Sequence, residues 1–226
     1  RERVTATYAN QHENGPNGPN GSNSQNGPNG TSNQNGQYSQ NGQYSQVLTT
    51  VGALDESEEA SLQFMVEEEK LAHDVYSTLA EKWDAQVFTN IAASEARHVA
   101  SVQTLLSTYG VTDPTTGNGV GEFTDPAFTA LYDELVAQGS TSLAAALQVG
   151  VDIEQLDIAD LQSRLATTDE ANIENVFQHL LTASGNHLDA FERELAILAG
   201  TATAAQQQQH NGSGQHSGDG MSNRSG

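Results

Sequence analysis

Cysteine is absent from all 226 residues, which excludes disulfides, thiolate metal ligands and cysteine nucleophiles. Positive charge is nearly as scarce: eight lysines and arginines stand against 29 acidic residues, for a formal net charge of −21, and lysine occurs only at Lys70 and Lys82. Such a field repels phosphate backbones and anionic lipid surfaces, so no nucleic acid is expected as a partner. Long hydrophobic runs are missing as well. None approaches the ~18 residues that a membrane span requires, and no span is expected. Metal cations are the natural partners of the excess acid.

Apolar residues are lacking over whole stretches. From Asn10 to Gln46 there is no Val, Ile, Leu, Met, Phe or Trp, and Glu13 is the only acidic or basic residue; little changes after Gln206. Segments this poor in apolar area cannot offset the entropy of ordering their backbone. Residues 1–54 and 201–226 therefore read as low-complexity Asn/Gly/Gln-rich tails around one domain at 55–200, near the common domain size. The domain carries 26 of the acidic residues and five of the basic ones, so the acidity belongs to it.

The N-terminal tail repeats Asn-Gly, as in Asn14-Gly15-Pro16 and Asn17-Gly18-Pro19. Its first eight residues differ: Val4, Ala6 and Tyr8 alternate with Thr5 and Thr7 in the period of a strand, suited to pairing with an edge in another subunit. Self-association through the tails is the expectation. Four N-glycosylation sequons, at Asn20, Asn29, Asn211 and Asn223, all fall in the tails. Together with a first residue that is Arg1 rather than methionine, they give the expectation of an exported protein, extracellular or at the cell surface.

Within 55–200 the apolar spacing is 3 and 4 almost throughout, and glycine and proline fall mostly at breaks. The pattern is all-α. A first helix opens at Asp55, with Glu58 completing a capping box, and runs to about Trp83. A second spans about Thr89 to Tyr109 and ends at Gly110. After a Gly-rich loop at 113–121, a short helix starts near Pro126 with Asp125 as its cap and Gly139 as its stop. A long helix follows from Ser140 or Thr141 to about Ala166, and the last runs from Asp169 to just before Gly200. Four long helices with mostly short connections predict an up-down four-helix bundle with one extra short helix.

Each long helix interrupts its apolar row with polar groups near its middle: Glu68 in the first, Glu95 and His98 in the second, Glu154 in the third, and Ser184 and His187 in the last. A core carboxylate is costly unless paired or metal-bound, and four helices showing this at similar depth point to a shared centre. Glu68 is chosen over Glu67 and Glu69 because the centre of the apolar face falls nearest to it. Three carboxylates and two imidazoles suit iron, manganese or zinc, one ion or two. Glu95 and His98, at i and i+3, share a helix face and can grip the same ion or adjacent ions. His73 and His179 lie off the rows and read as rim or surface residues; Tyr76 and Tyr132 read as core aromatics.

Glu-x-x-His at 95–98, the run Glu67-Glu68-Glu69-Lys70-Leu71-Ala72-His73-Asp74-Val75-Tyr76 and Asn186-His187-Leu188 resemble the ferritin-like superfamily, and within it an uncharacterised family of prokaryotic ferritin-like domains. The resemblance spans about 140 residues. It implies the ferritin-like fold and a metal site carried onto Glu68, Glu95, His98, Glu154 and His187, and it implies no substrate. One departure stands out: Ser184 occupies the place where the last helix of a di-iron member carries Glu, so one bridging carboxylate is missing. Asp157, one turn beyond Glu154, is a candidate to compensate. No catalytic residue is assigned. The expected function is an exported metal-binding protein, a subunit of an extracellular filament or matrix tied by its tails. The alternative is a non-haem iron or manganese oxidoreductase acting on oxygen or peroxide.

Overall fold

The computed structural model describes the backbone of residues 52–212 and the side chains of residues 52–200; the strand-like start, the Asn-Gly repeats and the sequons at Asn20, Asn29 and Asn223 lie outside them. Among the described residues the fold is all-helical, with five helices and no strand: α1 (Glu56–Trp83), α2 (Gln86–Tyr109), α3 (Pro126–Gly139), α4 (Leu143–Leu165) and α5 (Ala171–Gly212).

The ends of the helices follow local chemistry. The Asp55 side chain accepts from the amides of Ser57 and Glu58, both at 2.9 Å, while Glu58 reaches back to the Asp55 amide, the expected capping box. Asp125 caps α3 through the Ala127 amide, and Gly110 ends α2 at φ 70. Four boundaries differ from the sequence expectation, among them the start of α5, which falls at Ala171 rather than Asp169. Helix α2 begins at Gln86, with no side-chain cap to announce it. Helix α4 begins at Leu143 because Ser142, not Ser140 or Thr141, supplies the cap to the Ala145 amide. Helix α5 passes Gly200 and continues to Gly212, so its backbone includes Asn211; the Ala- and Gln-rich run that reads as tail by hydrophobicity is also a run of good helix formers.

Helix α1 packs along α2, α4 packs along α5, and the two pairs meet through α1 with α4 and α2 with α5. One apolar layer joins Leu62 and Met65 at the start of α1, Val102 and Leu105 near the end of α2, Leu161 near the end of α4, and Ile173 and Phe177 at the start of α5. A second layer joins Tyr76 late in α1, Phe88 early in α2 and Phe191 midway along α5, with ring centroids 5.1–6.2 Å apart. Gly150, early in α4, admits the Phe191 ring so closely that a Cβ there would lie 2.7 Å from three ring atoms. These two layers fix the directions: α1 and α5 run one way, α2 and α4 the other. The expected simple up-down order is therefore corrected. A long crossover at 110–142, carrying α3, returns the chain so that α4 runs parallel to α2.

The crossover covers the outer side of α1, and this explains three consecutive buried glutamates. Glu67 accepts from the amides of Thr124 and Asp125 at 2.7 and 3.1 Å, fixing the start of α3. Lys70 bonds Asp74 and the Gly119 carbonyl and lies under the Phe123 ring, while Asp74 also accepts from the Gly121 amide. Helix α1 is enclosed on nearly all sides around its middle, so a single apolar stripe does not describe it.

Candidate metal centre

Between the two apolar layers lie the polar groups that the sequence placed at mid-helix. Glu95 and His98 from α2, Glu154 from α4 and His187 from α5 converge as expected. Glu68 does not join them. The acid that α1 contributes is Glu69, which is 2% exposed. Glu68 is also buried, but it is hydrogen-bonded to Asp160 and feels the charges of Asp160, Asp157 and Arg164. The choice of Glu68 assumed one buried face; with α1 enclosed, the buried positions Leu62, Glu69 and Tyr76, seven residues apart, share a second face, and that period was the signal available in the sequence.

The donors form two groups of three. Glu69, Glu95 and His98 offer ligand atoms all within 4.8 Å of one another, as do Glu95, Glu154 and His187, and Glu95 belongs to both. Its Oε2 lies 2.7 Å from Nδ1 of His98 and its Oε1 lies 2.7 Å from Nδ1 of His187. His98 Nδ1 is 3.2 Å from Glu69 Oε2, and His187 Nδ1 is 3.7 Å from Glu154 Oε1. Yet Glu95 Oε1 and His187 Nδ1 have no hydrogen-bond partner, and neither has Glu69 Oε1. The 2.7 Å approach to His187 therefore lacks the alignment of an N–H donor on an acceptor. Side-chain atoms that converge on a common point give this geometry, which fits a cation between nitrogen and oxygen donors once the imidazoles have lost their protons.

The two halves of the site are related. Each helix pair supplies a Glu from its first helix, Glu69 or Glu154, and a His from its second, His98 or His187. The rings of His98 and His187 stack at 5.5 Å. Only α2 adds a carboxylate three residues before its His; α5 has Ser184 there, 1% exposed, its hydroxyl within hydrogen-bond distance of Asp157 Oδ2 and 2.9 Å from the Leu180 carbonyl. One hydroxyl proton cannot serve both. A protonated Asp157 donating to Ser184, which in turn donates to Leu180, satisfies the set.

Electrostatics agree with that arrangement. Burial drives Asp157 up to about 8, with the charge of Glu154 adding to it, and drives Glu154 up to about 7 against the imidazole of His187. Glu69 is raised well above the usual carboxylate range by burial and by Asp157. Glu95 is the opposite case: burial opposes its charge, but His187 and His98 outweigh burial and bring it to about 2. Burial likewise disfavours charged imidazoles, yet Glu69 and Glu95 lift His98 to about 10, and Glu154 and Glu95 lift His187 to about 9. Tyr76, fully buried, donates to Glu154 Oε1 at 2.8 Å, so it belongs to the site as well as to the core. His73 is half-buried on Asp74 and His179 is exposed, both away from the centre as expected. A surface cleft of about 430 Å³ lies on the outer side of the α1–α2 pair, lined by Lys70, His73, Gln103, Asn118 and Val120; none of the five donor residues lines it.

Residues 58–211 match the family described as an uncharacterized protein domain, DUF2202, and the chain belongs to that family. It is similar to the uncharacterized protein MJ0754 of Methanocaldococcus jannaschii, 46% identical over 142 residues that make up 63% of this chain and 77% of the relative. The crystal structure of that hypothetical protein superposes with a TM-score of 0.65 at 44% identity, covering 66% of this chain and 85% of the other.

Proposed function

We propose that the domain is a ferritin-like four-helix bundle that binds two metal ions at its centre, iron, manganese or zinc, with Glu95 shared between them. The observation that carries this reading is the pair of three-donor groups meeting at Glu95, with buried donor atoms that lack hydrogen-bond partners. The single long crossover between α2 and α4 is the connectivity of ferritin-like folds and supports the same reading. One ion would take Glu69, Glu95 and His98; the other would take Glu95, Glu154 and His187. Tyr76 fixes the Glu154 carboxylate, and the apolar layers on either side keep water from competing for the donors. Elemental analysis of the purified chain after loading with Mn2+ tests this directly: about two ions per chain are expected, and none would end it.

The setting we propose is an exported assembly tied together by the tails. It rests on the sequence: the sequons, the alternating start and the Asn-Gly repeats. Electron microscopy before and after removal of residues 1–46 tests it, and filaments that persist without those residues refute it. A second reading, an oxidoreductase acting on oxygen or peroxide, is favoured by one feature: each group supplies three protein donors, which leaves coordination positions open, as reactive metal sites do and structural ones do not. Bound iron or manganese would supply Lewis acidity and electron exchange there. Peroxide consumption by the iron- or manganese-loaded chain separates this reading from simple binding.

A further inference from the structure

Asp157 stands apart from the other buried acids. Glu67 is satisfied by two backbone amides, Asp74 by Lys70, His73 and the Gly121 amide, and Glu68 is hydrogen-bonded to Asp160 and lies among Asp160, Asp157 and Arg164. Asp157 is 5% exposed, has the Ser184 hydroxyl on Oδ2, and has no partner on Oδ1. It makes no ion pair among the described residues, although Glu154, Glu95 and His98 are the charges that act on it, and it is the foremost charge acting on Glu69. It therefore sits among the donors without being spent on any of them.

We propose that Asp157 is the fourth carboxylate of the centre, and that Ser184 is a positioning residue that holds it in the place where α5 lacks an acid. The inference rests on the two-ion reading above. Two arguments carry it. The first is symmetry: Glu95 precedes His98 by three residues, Ser184 precedes His187 by three, and the hydroxyl at that position is bonded to an acid from the neighbouring helix. A Ser on α5 and an Asp on α4 together do what one Glu on α5 would do. The second is charge. Two divalent ions bring four positive charges, and Glu69, Glu95 and Glu154 supply three negative ones. A residual charge inside two apolar layers is strongly disfavoured, and Asp157 removes it. Its oxygens stand outside the groups whose donor atoms all lie within 4.8 Å, so it engages on loading rather than before.

The test uses the full chain, loaded with Co2+ and followed by absorption titration and by elemental analysis after desalting. The wild type is expected to retain two ions, and Asp157→Asn to retain about one. Ser184→Ala, which keeps the acid but loses its hydrogen bond, is expected to bind two ions with affinity lowered about tenfold, the scale of losing an outer hydrogen bond to a ligand. Glu68→Gln, equally buried but outside the donor set, is expected to retain two. Two ions held at wild-type affinity by Asp157→Asn, unchanged affinity in Ser184→Ala, or loss of an ion in Glu68→Gln would each overturn the assignment of Asp157 while leaving the two-ion centre standing. A wild type that binds fewer than two ions overturns both.

Discussion

Changing Glu95 to Gln removes a charged donor from both groups at once, whereas Glu69→Gln or Glu154→Gln removes one from a single group. The stability gained on metal loading should divide accordingly. An ion at about 100 times its dissociation constant stabilises the folded state by about 2.7 kcal/mol, so two independent ions give about 5 kcal/mol. For a domain of this size each kcal/mol shifts the melting temperature by about 2–4 °C, and loading the wild type should raise it by about 10–20 °C. Glu69→Gln and Glu154→Gln should each show about half that rise, and Glu95→Gln almost none. The comparison is made for each variant with and without Mn2+ by differential scanning fluorimetry, so that changes in the apo protein cancel. A full wild-type rise in Glu95→Gln would refute the sharing of that carboxylate, and complete loss in Glu69→Gln would refute the division into two groups.

The apo domain should lose stability as pH rises from about 5 to 10. His98 and His187 titrate near 10 and 9 when folded against 6.5 when unfolded, so their contribution is complete below about 6.5 and is lost as pH climbs through those folded values. Glu154 and Asp157, raised to about 7 and 8 from 4.5 and 3.8, act in the same direction from about pH 4 upward, because the folded state keeps protons that the unfolded chain has released. Glu95, near 2, opposes the trend only in acid, where its contribution is lost as pH falls below about 4.5. Metal binding needs these ligands deprotonated, so the loading shift should grow over the range in which apo stability falls; an apo melting temperature that rises between pH 6 and 9 would contradict this. Gly150→Ala should destabilise the domain by about 1–3 kcal/mol in chemical denaturation, because the added methyl meets the Phe191 ring. Asp55→Ala, which removes the capping box of α1, should lower stability by about 1 kcal/mol with no effect on metal stoichiometry.

The helical pattern was legible because the core residues of α2, α4 and α5 repeat at 3 and 4, and the caps at Asp55 and Asp125 are local signals that need no tertiary context. Glu95, His98, Glu154 and His187 were legible for the same reason: each interrupts an apolar row at matching depth. Glu69 was not, because the rule that a helix buries one stripe fails when a crossover encloses it, and three adjacent glutamates then have three different partners. Helix direction was hidden too. Nothing in the spacing of residues 110–142 says whether the chain turns back at once or crosses over, and that is decided by which apolar layers the ends of α4 join. The Tyr76–Glu154 hydrogen bond escaped because a tyrosine that only fills the core and one that bonds a buried carboxylate look alike until the Glu154 carboxylate is placed beside the hydroxyl.

The most direct measurement is an anomalous difference map from crystals of the Mn2+-loaded protein, collected near the manganese edge. Two peaks roughly 3.5–4 Å apart, one beside His98 and one beside His187 with the Glu95 carboxylate between them, are the predicted result. A single peak, or peaks only on the acidic surface with these side chains bonded to one another, would contradict it.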